Sequence, residues 1–189
     1  MIEAPWRYYS PDEIAALSLK YADRGNIGVA FTYNEPLISY ENIMDCADLI
    51  HEQNQRTVLV TNGYINHDPL RMALPKIDAM NIDLKAFSNR FYLSVNGNLE
   101  TVKNAIETSA NACHTEITAL IIPGQNDSAE EMEGLSNWLA GIGSEIPLHI
   151  TRFFPRYRMS GAEPTSLETL KILAGIAKRR LRHVYLGNC

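Results

Sequence analysis

Three cysteines in 189 residues, Cys46, Cys113 and Cys189, lie far apart and form no CxxC or other metal-ligand spacing. A disulfide framework and a thiolate metal site built from this chain are thereby excluded. Apolar runs nowhere approach the roughly eighteen residues that cross a bilayer, and Met1–Tyr9 lacks the charged-then-apolar design of a signal segment. A cytoplasmic protein is expected. Basic charge is also scarce: 17 Lys and Arg against 22 Asp and Glu give a net charge of -5, which argues against a phosphate-neutralising surface. The one basic cluster, Lys178-Arg179-Arg180 with Arg182, reads as complementation of a helix end or, alternatively, as a polyanion site. No Pro- or Ser-rich linker and no repeat divides the chain, so residues 1–189 are expected to form one domain.

What is present is alternation. Ser10-Pro11-Asp12-Glu13 is a capping box with proline at the first helical position, followed by Ile14, Leu17 and Tyr21 on one face. A strand is expected over 27–33, a helix over 36–53, a strand over 57–61 and a short helix over 68–74. Then come a strand over 79–84, an irregular stretch, a helix over 99–112 and a strand over 116–122. Ser128 with Glu131 opens the next helix, followed by a strand over 146–154. Thr165 with Glu168 caps the last helix, before a strand over 183–186. Cys46, on a stripe with Ile43, Ala47 and Ile50, and Cys113, which continues a stripe from Leu99, read as small core residues. Six strands alternating with helices imply an α/β fold with a parallel sheet and right-handed crossovers.

The choice between a doubly wound sheet and a partial barrel turns on polarity. Strands covered on both faces read as continuous apolar runs, and several here do not. With a period of two, Asn81, Asp83 and Lys85 share one face of their strand; Glu116 with Thr118 and His149 with Thr151 do likewise. A curved sheet enclosing something polar fits this row better than a flat one.

Candidate residues gather where strands end, the edge at which α/β folds hold ligands. Within Thr32-Tyr33-Asn34-Glu35-Pro36, Glu35 reads either as an acid or cofactor ligand or as the complement of the helix that Pro36 starts. Thr61-Asn62-Gly63 reads equally as ligand contact and as turn chemistry. Asp83 and Lys85 could pair with each other or meet one ligand. Ile122-Pro123-Gly124-Gln125-Asn126-Asp127 reads as a loop before a cap, and His149 as a core or a site histidine. Their shared edge makes a single site the simplest reading.

Taken in order, TYNEP (32–36), VTNGY (60–64), NIDLKAF (81–87), TALIIPGQND (118–127), HITRFFPRYRM (149–159) and HVYLGN (183–188) resemble radical S-adenosylmethionine enzymes. The resemblance is to the group related to pyruvate formate-lyase activating enzyme and found in AmmeMemoRadiSam systems. It implies a partial TIM-like (β/α)6 barrel, S-adenosylmethionine as cofactor and a [4Fe-4S] cluster at which it is reductively cleaved to abstract hydrogen from a substrate. By resemblance, Asn34, Glu35 and Pro36 belong to the motif that holds the cofactor's amino group, largely through backbone atoms. Thr61 and Asn62 line the cofactor, Asp83 and Lys85 lie near its carboxylate, the IIPGQND loop is on its adenine side, and His149 is near ribose and adenine. A protein substrate or a Memo-like partner, and an electron-donor protein, are implied in the same way. The family's CxxxCxxC cluster loop has no counterpart here, so the chain is expected to lack that loop with its preceding strand, to continue incompletely at its far end, and to be inactive as it stands. No catalytic residue and no metal ligand is assigned.

Three other readings compete. A retaining glycosidase would use Glu35 as acid/base, but needs a second carboxylate about 5 Å away. A Schiff-base aldolase would use Lys85 as nucleophile. A non-catalytic binding or partner protein would keep the fold without the cluster. Residues 153–163, aromatic and basic, are a candidate for substrate or partner contact, or a plain loop.

Overall fold

The fold was obtained as a computed structural model that describes residues 7–189. The parts of the expected domain and of the expected signal-free start that fall on residues 1–6 lie outside the described residues. Six parallel strands form one sheet in sequential order: β1 (Gly28–Phe31), β2 (Arg56–Thr61), β3 (Ala79–Asp83), β4 (His114–Ile121), β5 (Leu148–Arg152) and β6 (Val184–Gly187). The sheet is curved and does not close, which is the expected partial barrel. Among the described residues, α1 (Pro11–Lys20) precedes β1, and α2 (Tyr40–Glu52), α3 (His67–Ala73), α4 (Asn89–Ser94), α5 (Leu99–Ala110), α6 (Ala129–Ile142) and α7 (Leu167–Ala177) connect the strands.

Alternation along the strands decides what the sheet covers. In β4, Thr115, Ile117, Ala119 and Ile121 are buried, while Glu116, Thr118 and Leu120 are half-open. Leu59, Met80, Ile82, Leu148 and Ile150 join the buried set and pack under the helices. A second small cluster, Ala15, Cys46 and Ile50, lies between α1, α2 and β1. Each aliphatic side chain so buried contributes about 1.5–3 kcal/mol, so the convex, helix-covered side supplies most of the stabilisation.

Local chemistry departs from expectation in several places. The Ser10–Glu13 capping box forms, but Ala15 and Ser18 are the buried residues of α1, and Leu17 and Tyr21 are exposed. Small side chains let this helix lie close on its neighbour. The stretch expected as one helix over 36–53 is a 3-10 turn (Pro36–Ser39) followed by α2, because the Glu35 carboxylate accepts from Leu37 N–H and caps the turn. Ser128 does cap α6, yet Glu131 reaches back not to the cap but to Phe87 N–H, at 2.6 Å. The last helix is capped by Ser166 rather than by Thr165: the Thr165 hydroxyl is buried and donates to Ile121 C=O instead. β5 starts later than expected because Pro147 has no N–H for the ladder. Within the irregular stretch lies α4, capped by Ser88.

Candidate functional site

The carboxyl ends of the strands form a polar rim, beginning at the turn after β1. Glu35 sits there with its carboxylate accepting from Leu37 N–H (3.1 Å), from the Thr61 hydroxyl (2.5 Å) and from Asn62 N–H (2.8 Å). Both oxygens are engaged by donors from its own turn and from the end of β2. Glu35 is therefore a clamp between two strand ends, and a carboxylate so occupied is not placed as an acid/base. Asn34 and Thr32 are exposed beside it, and Pro36 is buried at the start of the turn.

The end of β2 is itself ordered by side-chain chemistry. The Thr61 hydroxyl also accepts from Gly63 N–H, and Asn62 Oδ1 accepts from Tyr64 N–H. Gly63 has φ 66°, and a Cβ there would meet Ile82 Cγ2 at 2.8 Å, so the turn needs glycine both for conformation and for space. The turn reading of Thr61-Asn62-Gly63 is thus realised, and it leaves the Asn62 NH2 group at the rim.

At the end of β3, Lys85 Nζ and the Asp83 carboxylate form an ion pair at 2.5 Å, part-buried on the concave side. Lys85 N–H donates to the Tyr92 hydroxyl, and burial pushes the Tyr92 phenol up to about 12, although the hydrogen bond to Lys85 opposes this. Asn126, 5% exposed, ties the next loop down: it accepts from Ile122 N–H and donates to Lys85 C=O and Leu120 C=O. The IIPGQND loop is held on the β3 end by this one amide. A cavity of about 290 Å³ opens beside Asn62 and Lys85, lined also by Tyr64, Phe91, Tyr92, Val95 and Val102. It is framed by α4, which sequence periodicity did not show, and so was not foreseen.

The β3–β6 register sets the rest of the row. Asp83 is opposite Thr118, Thr118 opposite His149, and His149 opposite Tyr185. Neighbouring strands lie about 4.8 Å apart, so Asp83 and His149 are about 10 Å apart across the concave face. His149 Nε2 meets Glu116 Oε2 at 2.7 Å, while His114 Nε2 meets Glu116 Oε1 at 3.0 Å. Burial pushes the Glu116 carboxyl up, but the hydrogen bonds and charge of His114 and His149 outweigh it and hold it below the usual range. The His149 ring stacks on Tyr185 with centroids 5.4 Å apart. Glu116 and Thr118 were read as part of the polar face, but His114 and Tyr185 were not. Cross-strand register brings Tyr185 to His149, whereas His114 shares the Glu116 face of β4 two residues away.

The arrangement offers an amide, an ion pair, a hydroxyl and an imidazole along one concave row, beside an apolar cavity. A profile of the radical SAM superfamily matches residues 2–136. The chain belongs to that superfamily. It is 34% identical over 98% of its length to an uncharacterized protein of Methanocaldococcus jannaschii, 55% of which is covered. It is 25% identical over 69% of its length to the 4-hydroxyphenylacetate decarboxylase activating enzyme of Clostridioides difficile, 43% of which is covered. The chain thus spans about half the length of these curated relatives. A solved domain of the pyruvate-formate lyase-activating enzyme from Bacteroides vulgatus superposes on 85% of the chain and 99% of its own length, with TM-score 0.72 at 20% identity. Streptococcus suis SuiB bound to S-adenosylmethionine shares the fold over 97% of this chain and 43% of its own, with TM-score 0.73 at 11% identity.

The superfamily implies S-adenosylmethionine and a [4Fe-4S] cluster, and the two fare differently against these residues. The concave row matches a zwitterion bearing hydroxyls, since it carries both charge signs and neutral hydrogen-bonding groups. The cluster finds no match among the described residues: no group of three His, Cys, Asp or Glu side chains could hold a metal. Cys46 is buried, Cys113 half-buried and Cys189 exposed. Burial pushes the Cys46 and Cys113 thiols up, away from the thiolate that iron requires. Among the described residues, no helix is long and apolar enough to cross a membrane.

Proposed function

We propose that this chain forms the S-adenosylmethionine-holding part of a radical SAM protein of the activating-enzyme type. The observation that carries the reading is the polar row that runs from Asn62, Asp83 and Lys85 at the ends of β2 and β3 across Thr118 within β4 to His149 near the start of β5, in a chain of this superfamily. The backbone around Asn34, Glu35 and Pro36 would receive the ligand's amino group, with the Glu35 clamp holding that turn against β2. Asp83 and Lys85 would share the ammonium and carboxylate of the amino acid end, Lys85 donating to a carboxylate oxygen. Thr61 acts through the turn, and Asn62 lines it. His149, with the IIPGQND loop anchored by Asn126, would take the nucleoside end. When bound and reductively cleaved, S-adenosylmethionine supplies the carbon radical with which this superfamily abstracts hydrogen.

The residues of this chain bind and orient; they do not supply the cluster that drives reduction. We therefore assign to these 189 residues the cofactor cradle without independent cleavage activity. A protein substrate and an electron-donor protein complete the reading, by analogy with the activating-enzyme relatives and no further.

Titration calorimetry tests the cradle. Binding of S-adenosylmethionine is expected, weakened about tenfold in Lys85→Ala, the worth of one charge-assisted hydrogen bond. No binding to the intact chain overturns the reading. Anaerobic reconstitution with iron and sulfide tests the second part: no stoichiometric four-iron cluster and no 5′-deoxyadenosine are expected. Appearance of both would overturn it.

A further inference from the structure

Glu116 lies one pleat below the row just assigned and meets it through His149. Its two oxygens are divided between two imidazoles, Oε1 with His114 Nε2 at 3.0 Å and Oε2 with His149 Nε2 at 2.7 Å. A carboxylate only accepts, so each of these ring nitrogens must carry the proton. In a neutral imidazole the other nitrogen is then bare. His149 Nδ1 has no protein partner among the described residues, and its side chain is 32% exposed on the concave face. The ring cannot turn freely to exchange its nitrogens, because Tyr185 stacks on it from the next strand with an interplanar angle of 27°.

We propose that Glu116 is a positioning residue that holds His149 with Nε2 protonated, presenting Nδ1 on the concave face as the acceptor for a hydroxyl of the bound ligand. A carboxylate behind an imidazole fixes its tautomer and orientation and strengthens the lone pair at the opposite nitrogen. The site is thereby selective: a ligand hydroxyl donates to Nδ1, whereas a ligand carboxylate would meet its lone pair. His114 on the same strand takes the second oxygen and keeps the carboxylate from rotating. At the end of the neighbouring β3, Asp83 and Lys85 compensate each other. Glu116 itself touches no ligand in this scheme and acts through His149.

The ligand part rests on the cradle reading above, and the test separates the two. Nitrogen-15 histidine spectra of the ligand-free protein near pH 8 should show the His149 Nε2–H as a hydrogen-bonded, slowly exchanging proton, with Nδ1 bare. That signal should vanish in Glu116→Ala, identified by its absence from His149→Gln, and persist in His114→Ala. Glu116→Gln keeps the side-chain size and one acceptor, and should retain part of it. Binding of S-adenosylmethionine should then fall about tenfold in Glu116→Ala and in His149→Gln, with little added loss in the double variant. Additive losses, or an unchanged Nε2–H signal in Glu116→Ala, would overturn the proposal. If the parent protein binds no S-adenosylmethionine, the cradle reading falls, while the spectra still decide whether Glu116 holds His149.

Discussion

The two flanks of the concave sheet each hold a glutamate, and the partners decide what each can do. At the β1–β2 flank, Glu35 accepts from a hydroxyl and two backbone N–H groups, none of which titrates in the ordinary range. At the β4–β5 flank, Glu116 instead accepts from the rings of two histidines. The residue type is the same, yet the carboxylate after β1 is a clamp on a hydroxyl and backbone N–H groups, while the one within β4 is shared between two imidazoles. A glutamate at a strand end therefore says little about catalysis until its donors are known.

The comparison breaks most visibly at Glu35. Replacing it by alanine strands three donors, two of them at the close of β2, and hydrogen bonds to a charged acceptor are worth about 1.5–3 kcal/mol each. Allowing for solvent reaching this half-buried turn, Glu35→Ala should lose about 2–4 kcal/mol in urea unfolding, largely independent of pH between 6 and 8. A loss below about 1 kcal/mol would mean that the clamp is ornamental. Asn126→Ala should follow at about 2–3 kcal/mol, because its buried amide ties the IIPGQND loop to Leu120 and Lys85. Hydrogen exchange at Ile122 would report the loosened loop directly.

Glu116 should behave otherwise, with the effect confined to acid. Its folded carboxyl lies below the usual range while the unfolded one titrates near 4.3, so it stabilises the fold above that pH. The contribution is lost as pH falls through the folded value. Glu116→Gln should consequently flatten the decline of stability below about pH 4.5. Asp78, at the opposite ends of β2 and β3, is likewise lowered: burial pushes it up, but Thr57 N–H, Arg56 and His51 outweigh that. Asp78→Asn should flatten the same limb, and the two changes should add, since no residue bonds to both carboxylates. An unchanged acid limb in Glu116→Gln would show that its histidines do not discriminate the two states.

Much of this contrast was legible in the sequence, and the limit has a physical reason. A period of two is a local property, so the polar row of Asn81, Asp83, Glu116, Thr118 and His149, and hence the open curved sheet, could be read from alternation. Capping is local too, and Ser10 with Glu13 formed as read. Ser128 with Glu131 has the same spelling, yet Glu131 bonds a backbone group 44 residues away because the loop before α4 lies beside it. Thr165 was displaced as a cap by its neighbour once its hydroxyl found Ile121 C=O across the sheet. Partner choice over such distances is set by register and loop packing, which no window of sequence contains. The same holds for Tyr185 and the cavity beside α4, whereas His114, two residues from Glu116 on one strand, lay within reach of the same alternation.

The smallest effect on stability is expected between the two flanks, at the Asp83–Lys85 pair, and it sharpens the contrast by separating stability from binding. Both side chains are part-exposed, 30% for Asp83 and 41% for Lys85, so solvent screens their attraction and the pair should contribute no more than about 1 kcal/mol. Lys85→Met keeps the stem that packs along the rim and removes only the charge. Its unfolding midpoint should move little, while affinity for S-adenosylmethionine falls, because a ligand carboxylate loses its donor and meets an unpaired Asp83. Asp83→Asn should move stability as little, while removing the partner for the ligand's ammonium. If instead Lys85→Met unfolded the protein by several kcal/mol and left affinity intact, the pair would belong with Glu35 as structure. The row would then lose its claim to the amino acid end of the ligand.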